Sequence, residues 1–116
     1  MIEKWIAEIK KTSPPGELGM ILVHNGVVRA TSKTGSPVKG MKLSYDRKAL
    51  AKAVAVFKKR DGIADIRAWI NEGELKTGDD IMKVCVAGRF RTDIVPVFQE
   101  LITLIKGEIV KEEEFS

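Results

Sequence analysis

The sequence predicts an α+β fold in which helices pack on one face of a mainly antiparallel sheet. Hydrophobic spacing along the 116 residues indicates the element order α-β-β-α-β-β-α-β, and most links between elements are short. The segment IMKVCVAG at 81–88 is apolar on both of its alternating faces. A strand with that pattern is covered on both sides, so we expect it at the centre of the sheet.

Three segments carry apolar residues at helical spacing, namely 2–11, 47–60 and 94–106. Asp46 can cap the second helix, and Asp93 or Thr92 can cap the third. Pro96 is then tolerated in the first turn of the third helix, and Gly107 is a suitable terminator.

The other segments are predicted to be strands or loops. Besides the central strand, β-rich or alternating patterns occur at 20–32, 41–45 and 63–73, and a short last strand can form within 108–115. Asn25-Gly26 can be either a tight hairpin turn or a bulge inside one long strand. We expect a flexible loop at 33–40 and a connection at 74–80 with a turn at Thr77-Gly78.

Length and composition favour one globular domain spanning residues 1–116. Apolar residues make up 44% and charged residues 31% of the chain, which is ordinary for a soluble protein and unlike a disordered one. No apolar run approaches the length of a membrane span, and Met1 is not followed by a signal-peptide pattern. We therefore expect a cytoplasmic protein without a membrane partner.

The formal net charge of +4 hides an uneven distribution, because the tail 111–116 is acidic and the remainder is more strongly basic. A basic body suits a phosphorylated metabolite, an acidic protein surface or nucleic acid, although composition alone favours a solvated lysine-rich surface over any of these. Base stacking needs exposed aromatic residues among the cations, and the strands offer only Tyr45 and Trp69. We therefore expect no nucleic-acid partner.

Cys85 and His24 are each the only residue of their kind. A single cysteine excludes an internal disulfide, and its place in an apolar strand favours a buried structural thiol over a reactive one. A single histidine makes a histidine-rich metal site impossible and a Ser-His or Cys-His catalytic pair improbable on composition. We expect no metal site.

Two stretches together resemble one family. GELKTGDDIMKVCVAGRFR at 73–91 resembles the G-E-L-x-x-G-D-x-I-x-V-x-V motif, running into a strand-end arginine, of the large catalytic subunit of molybdopterin synthase. GMILVHNGVVRATS at 19–32 is similar to the G-A-x-V-x-F-x-G-x-V-R segment of the same family. The resemblance covers roughly residues 17–111 and includes a last helix that bears a lysine.

The resemblance implies an α/β hammerhead-like fold and a bulge at Gly26. It implies the conversion of cyclic pyranopterin monophosphate into molybdopterin, without a resident cofactor. The sulfur comes from the C-terminal thiocarboxylate of a small ubiquitin-like subunit that ends in Gly-Gly. The family's large subunit forms a homodimer within a heterotetramer, with a small subunit at each end.

The resemblance also implies site residues. Arg29 matches the family's strand arginine, and Arg91 matches the arginine that follows the second motif, so both are candidates to bind the substrate phosphate. Lys106 falls at the position of the family's catalytic lysine, near the end of the last helix. Lys111 is the candidate for a second catalytic lysine just beyond that helix.

Position 90 departs from the family pattern. Phe90 stands where the family has a histidine beside the arginine, and a phenylalanine can neither donate a hydrogen bond to phosphate nor carry a proton. Arg89 can replace the missing donor, although adjacent strand positions point to opposite faces. The departure motivates an alternative function, a non-catalytic module that binds a pterin phosphate or a carrier protein on the same scaffold.

Overall fold

The computed structural model describes residues 1–116. It contains three α-helices, which are α1 (Ile2–Thr12), α2 (Arg47–Lys58) and α3 (Arg91–Leu104). The six strands are β1 (Met20–Val27), β2 (Gly40–Tyr45), β3 (Ile63–Ile70), β4 (Gly73–Lys76), β5 (Asp80–Gly88) and β6 (Val110–Phe115). A 3₁₀ turn at Pro15–Glu17 precedes β1, and a π-helical turn at Ile105–Ile109 joins α3 to β6.

The strands form two antiparallel sheets of three strands each. Their orders are β1-β5-β3 and β4-β2-β6, so β5 is the central strand of its sheet, as predicted. The α+β class with helices packed on antiparallel strands is confirmed. The last strand, β6, is also confirmed, and it pairs with β2 along its whole length.

The two faces of β5 carry two hydrophobic clusters. Val84 and Val86 belong to the main core, which also includes buried side chains of α2, α3, β2 and β4. Cys85 and Ala87, which alternate with them, pack with Ile9 of α1 in a smaller cluster. We expected the helices on one face of the sheet, but they cover both faces. A strand that is apolar on both sides requires cover on both sides.

Several boundaries differ from the sequence prediction. The strand expected at 20–32 ends at Val27, and the strand expected at 63–73 ends at Ile70. Residues 73–76, expected as a connection, form β4, since their backbone pairs with β2.

Helix α3 begins at Arg91, and its N-cap residue Phe90 makes no side-chain cap. The expected cap Asp93 lies in the first turn instead, where its Oδ2 is 3.5 Å from Nε of Arg89. Pro96 consequently lies inside the helix rather than in its first turn. The chain passes Gly107 in the π-helical turn instead of ending its helix there.

Asn25-Gly26 is not a hairpin turn. Strand β1 continues through it and pairs with β5, and the register shifts between Gly26 and Val27. The bulge alternative is therefore confirmed. The side-chain amide of Asn25 donates to Oδ1 of Asp80 at 2.9 Å, which ties the irregular end of β1 to the start of β5.

Other local predictions agree with the structure. Asp46 caps α2 by accepting a hydrogen bond from the backbone N–H of Ala49 at 3.0 Å. The expected turn at Thr77-Gly78 is present, and Gly78 has a φ of 93°, a left-handed value that favours glycine. Residues 33–39 of the expected loop lie in the connection between β1 and β2, across which Thr31 bridges to Pro37, and Gly40 begins β2. No helix has the length and apolar character needed to cross a membrane.

We predict that Gly88→Ala destabilises the protein. A Cβ at Gly88 would collide with the carbonyl oxygen of Gly62 and lie 2.9 Å from Cγ1 of Ile94. Forcing atoms into a packed site costs about 1–3 kcal/mol of unfolding free energy. Chemical denaturation measures the loss, with Gly107→Ala as the control because a Cβ there meets no atom within 4 Å. Equal stability of the two variants would contradict the packing described here.

We predict that Cys85 resists alkylation in the folded protein. The thiol is buried, and burial together with the nearby charge of Asp65 raises its pKa to about 11. At pH 8 the thiolate, which is the reactive form, is therefore scarce as well as inaccessible. Mass spectrometry after iodoacetamide treatment should show modification in urea and none in native buffer, whereas rapid native labelling would contradict the prediction.

Candidate functional site

Arg29 and Lys106 line one pocket, although 77 residues separate them in sequence. Arg29 follows the end of β1 by two residues, and Lys106 lies in the π-helical turn after α3. Helix α3 packs on β1 and β5, so its C-terminal end reaches the bulged end of β1 at Gly26. The pocket has a volume of about 650 Å³ and an open mouth, which suits a small metabolite or the end of a peptide.

The loop after Arg29 adds hydroxyl and ammonium groups to the same pocket. Ser32, Lys33 and Thr34 all line it, and the hydroxyls of Ser32 and Thr34 are 3.0 Å apart. Arg29, Lys33 and Lys106 make no ion pair in the structure, so all three cations are available to a ligand. These groups are the kind that bind phosphate or carboxylate oxygens.

Strand β6 contributes carboxylates to the pocket. Glu112 and Glu114 line it and lie opposite Leu43 and Met41 of β2, both of which are buried. Glu112 and Glu114 therefore lie on the pocket side of β6, where they stay exposed to solvent, and the two carboxylates partly offset the three cations. An anionic ligand would have to compete with them, so the pocket is only moderately attractive to anions.

Lys111 does not share this pocket. It pairs with Ser44 of β2, on the face of the strand opposite to that of Glu112. Both Lys111 and Ser44 are exposed. Within one chain the structure therefore separates the two lysines that the sequence predicted to act together.

Arg89 and Arg91 lie at the other end of the sheet. Gly88, where β5 ends, is paired with the first residue of β1, whereas Gly26 pairs with Met82 near the start of β5. Six residues of extended strand separate Met82 from Gly88, a distance of about 20 Å. One chain therefore brings Arg29 and Lys106 together but places both of the other predicted arginines far from them.

The two arginines at this end differ in their surroundings. The guanidinium of Arg89 is 3.5 Å from Asp61 and 3.5 Å from Asp93, and it lies over the Phe90 ring at 5.2 Å. Arg91 is exposed, makes no ion pair and begins α3, whose N-terminus has no side-chain cap. Arg91 and the free backbone N–H groups of that turn can bind an anion together, while Arg89 is already held by carboxylates.

Phe90 is the side chain between them and is 59% exposed. It caps the helix through its backbone only, with extended dihedral angles. An exposed phenylalanine beside an unpaired arginine offers a ligand or a partner an apolar contact and no hydrogen bond.

His24 is the functional candidate that sequence patterns alone missed. It lies on β1 facing α3, with its ring centroid 6.3 Å from that of Phe98. Its Nε2 atom is buried and has no hydrogen-bond partner. Burial, and secondly the positive charge of Lys106, lower the pKa of His24 below its usual 6.5. The only available signal was that the chain has a single histidine, which says nothing about its neighbours.

A larger hollow of about 710 Å³ lies between α2 and the end of α3. Its one cation, Arg60, is paired with Glu100, and Glu108 also lines it. Since the unpaired charge of this hollow is negative, it suits an anionic ligand less well than the Arg29–Lys106 pocket does.

Comparison with solved structures shows the same fold in other proteins. Molybdopterin synthase from Staphylococcus aureus superposes with a TM-score of 0.79 at 20% identity, over 99% of this chain and 84% of that one. The molybdopterin biosynthesis MoaE protein of Burkholderia ambifaria gives 0.76 at 21% identity, over 100% and 79% of the two chains. A complex of subunits 1 and 2 of molybdopterin-converting factor from Helicobacter pylori gives 0.76 at 14% identity, over 97% and 74%.

These likenesses confirm the hammerhead-like α+β fold class expected from the resemblance. No curated protein sequence matches the chain significantly. The family described as MoaE protein, however, matches residues 2–108, which is nearly the whole chain. The chain therefore belongs to the MoaE protein family.

Proposed function

We propose that this protein is the catalytic large subunit of a molybdopterin synthase. Membership of the MoaE family supports a role in molybdenum cofactor biosynthesis. In the proposed reaction, two small ubiquitin-like subunits each give the one sulfur of their C-terminal thiocarboxylate to cyclic pyranopterin monophosphate, which yields molybdopterin. Water replaces the sulfur on each donor, which leaves as a carboxylate. The observation that carries the proposal is the pocket in which Arg29 and Lys106, both unpaired, converge from distant parts of the chain.

The two cations suit the two reactants. A guanidinium can bind a phosphate through two parallel hydrogen bonds, which suits Arg29 to the cyclic phosphate. A lysine can neutralise the thiocarboxylate, carry a proton or accept the acyl group transiently as an amide, which suits Lys106 to the sulfur donor. Because the donor tail is a negatively charged peptide end, the open mouth of the pocket is needed for its entry.

The separation of Arg91 from this pocket supports a homodimer. A substrate bound at Arg29 cannot reach an arginine at the far end of β5 in the same chain, at a distance of about 20 Å. In a dimer with twofold symmetry, each chain can supply its Arg91 to the pocket of the other. We propose that Arg91 acts in this way, that Arg89 mainly holds Asp61 and Asp93, and that Lys111 has no role in its own chain's pocket.

The proposed sulfur donor is a small ubiquitin-like protein with a C-terminal Gly-Gly, one bound to each large subunit of the dimer. The Helicobacter pylori structure, a complex of subunits 1 and 2 of molybdopterin-converting factor, supports a two-subunit assembly for this fold. We also propose that the enzyme works in the cytoplasm.

A non-catalytic binding module remains the alternative function, and Phe90 is the observation that favours it. Its exposed ring supplies no proton donor at the helix start where the family has a histidine. A module of this kind would bind cyclic pyranopterin monophosphate tightly and give no molybdopterin, whether or not the small subunit is present.

We predict that Lys106→Ala lowers molybdopterin formation by at least about 100-fold, since loss of a proton-carrying group typically costs that much. Arg29→Ala should raise the KM for the cyclic monophosphate about 10-fold or more, because a charged hydrogen-bonding partner of the phosphate is lost. The assay uses purified protein with its thiocarboxylated small subunit. Lys48→Ala is the matched control and should keep wild-type activity, because this lysine is exposed on α2 and does not line the pocket.

We predict that two inactive variants complement each other in mixed dimers. Arg91→Ala and Lys106→Ala damage different ends of the chain, so a mixed dimer keeps one intact composite site. Random mixing should restore about a quarter of the wild-type sites. Activity measured after co-refolding the two variants checks this, and no recovery above the sum of the separate variants would mean that Arg91 acts within its own chain.

A further inference from the structure

His24 occupies a confined place beside the Arg29–Lys106 pocket. Its ring leans along β1 over Gly26, where a Cβ would lie 3.3 Å from Nε2. Phe98 of α3 lies beside the ring, with 6.3 Å between the centroids. Gly26 itself lines the pocket, so the space left by its missing side chain holds the imidazole nitrogen next to the pocket wall.

The imidazole has an unused hydrogen-bonding atom. Nε2 is buried without a partner, and it is the only ring nitrogen in that condition. A buried polar atom without a partner is unfavourable and rare in folded proteins. A hydrogen-bond donor from the protein or from a ligand would therefore stabilise this nitrogen.

Lys106 lines the same pocket as Gly26, and its positive charge is the second cause, after burial, of the lowered pKa of His24. On the same face of the neighbouring strand β5, Met82 and Val84 are apolar. The other charged groups of the pocket are Arg29 and Lys33 from the loop and Glu112 and Glu114 from β6. Lys106 makes no ion pair, so its three N–H donors are free.

We propose that His24 is a positioning residue for Lys106, whose ammonium donates a hydrogen bond to the buried Nε2 of the neutral imidazole. This inference rests on the proposed function only for its catalytic consequence. The hydrogen bond requires the Lys106 side chain to turn toward the ring, because Nε2 has no partner in the structure. The hydrogen bond selects one orientation of a long, flexible side chain and holds its ammonium at the pocket. The imidazole then carries its proton on Nδ1.

The proposal explains why the imidazole is buried in neutral form. A protonated His24 would have no lone pair on Nε2 and would repel Lys106. Its usual pKa of 6.5 is lowered by burial and by Lys106, so His24 stays neutral at pH 7 and becomes protonated only in more acidic solution. As the pH falls through this lowered pKa, Nε2 becomes protonated and can no longer accept a hydrogen bond from Lys106.

The sequence is consistent with a changed role at this position. The family segment that residues 19–29 resemble has phenylalanine at the position of His24, whereas Phe90 stands where the family has histidine. This chain therefore carries its one imidazole on β1, next to Gly26 in the wall of the pocket that Lys106 lines, and none at the start of α3.

The first test uses NMR on the whole chain, and the single histidine makes its imidazole signals unambiguous. Two-bond proton–nitrogen correlations at pH 7.5 should show the Nδ1–H tautomer, with Nε2 unprotonated. Lys106→Met should raise the pKa of His24 and shift the Nε2 resonance, while Lys111→Met on the outer face of β6 should change neither. An Nε2–H tautomer, or an unchanged His24 pKa in Lys106→Met, would overturn the proposal.

The second test measures molybdopterin formation with the thiocarboxylated small subunit. His24→Phe should lower kcat on the order of 10-fold to 100-fold with little change in KM, because the lysine is misplaced rather than lost. His24→Gln, which keeps an acceptor, should recover part of the rate, and the loss of rate seen in the wild type at acidic pH should be absent from both variants. Wild-type rates and pH profile in His24→Phe would overturn the catalytic consequence.

The two tests separate this inference from the proposed function. If the wild-type protein forms no molybdopterin while the NMR results are as expected, the proposed function fails and the contact between His24 and Lys106 stands. If the enzyme is active but the tautomer or pKa result is contrary, the contact is wrong and the proposed function stands.

Discussion

The burial of β5 on both faces is the constraint on which the rest of the structure depends. Val84 and Val86 require cover by α3 on one side, and Cys85 and Ala87 require cover by α1 on the other. Burial of these apolar side chains favours both contacts, at about 25 cal/mol per Å² removed from water. Helix α3 is thereby fixed along the sheet, with its first residue at one end of β5 and its last turn over the other.

This placement of α3 determines where the charged groups lie. Its first turn presents Arg91 beside the end of β5, and the π-helical turn that follows it presents Lys106 beside Arg29. A π-helical turn inside or after a helix is uncommon and is often found at functional sites. The same helix thus serves two clusters that lie too far apart to act on one small molecule within a single chain.

The Arg29–Lys106 pocket contains carboxylates as well as cations. Glu112 and Glu114 line it because β6 pairs with β2 in a register that places them on the pocket side of the strand. The acidic tail is exposed, and these two of its carboxylates border the candidate site. A ligand that replaces these carboxylates must bring its own negative charge, which is consistent with a phosphate and a thiocarboxylate as reactants.

By itself, the sequence determined the α+β class, the central strand, most of the helices and strands, the family and the residue types of the site. Those properties depend on periodicity and on local motifs, which are visible along the chain. Only the tertiary structure decided that α1 covers the opposite face of β5, that Lys106 joins Arg29 while Lys111 does not, and that the buried Nε2 of His24 lies next to Gly26 in the wall of their pocket. These relations depend on strand register and helix docking between residues distant in sequence, and a one-residue change of register would exchange inward and outward side chains.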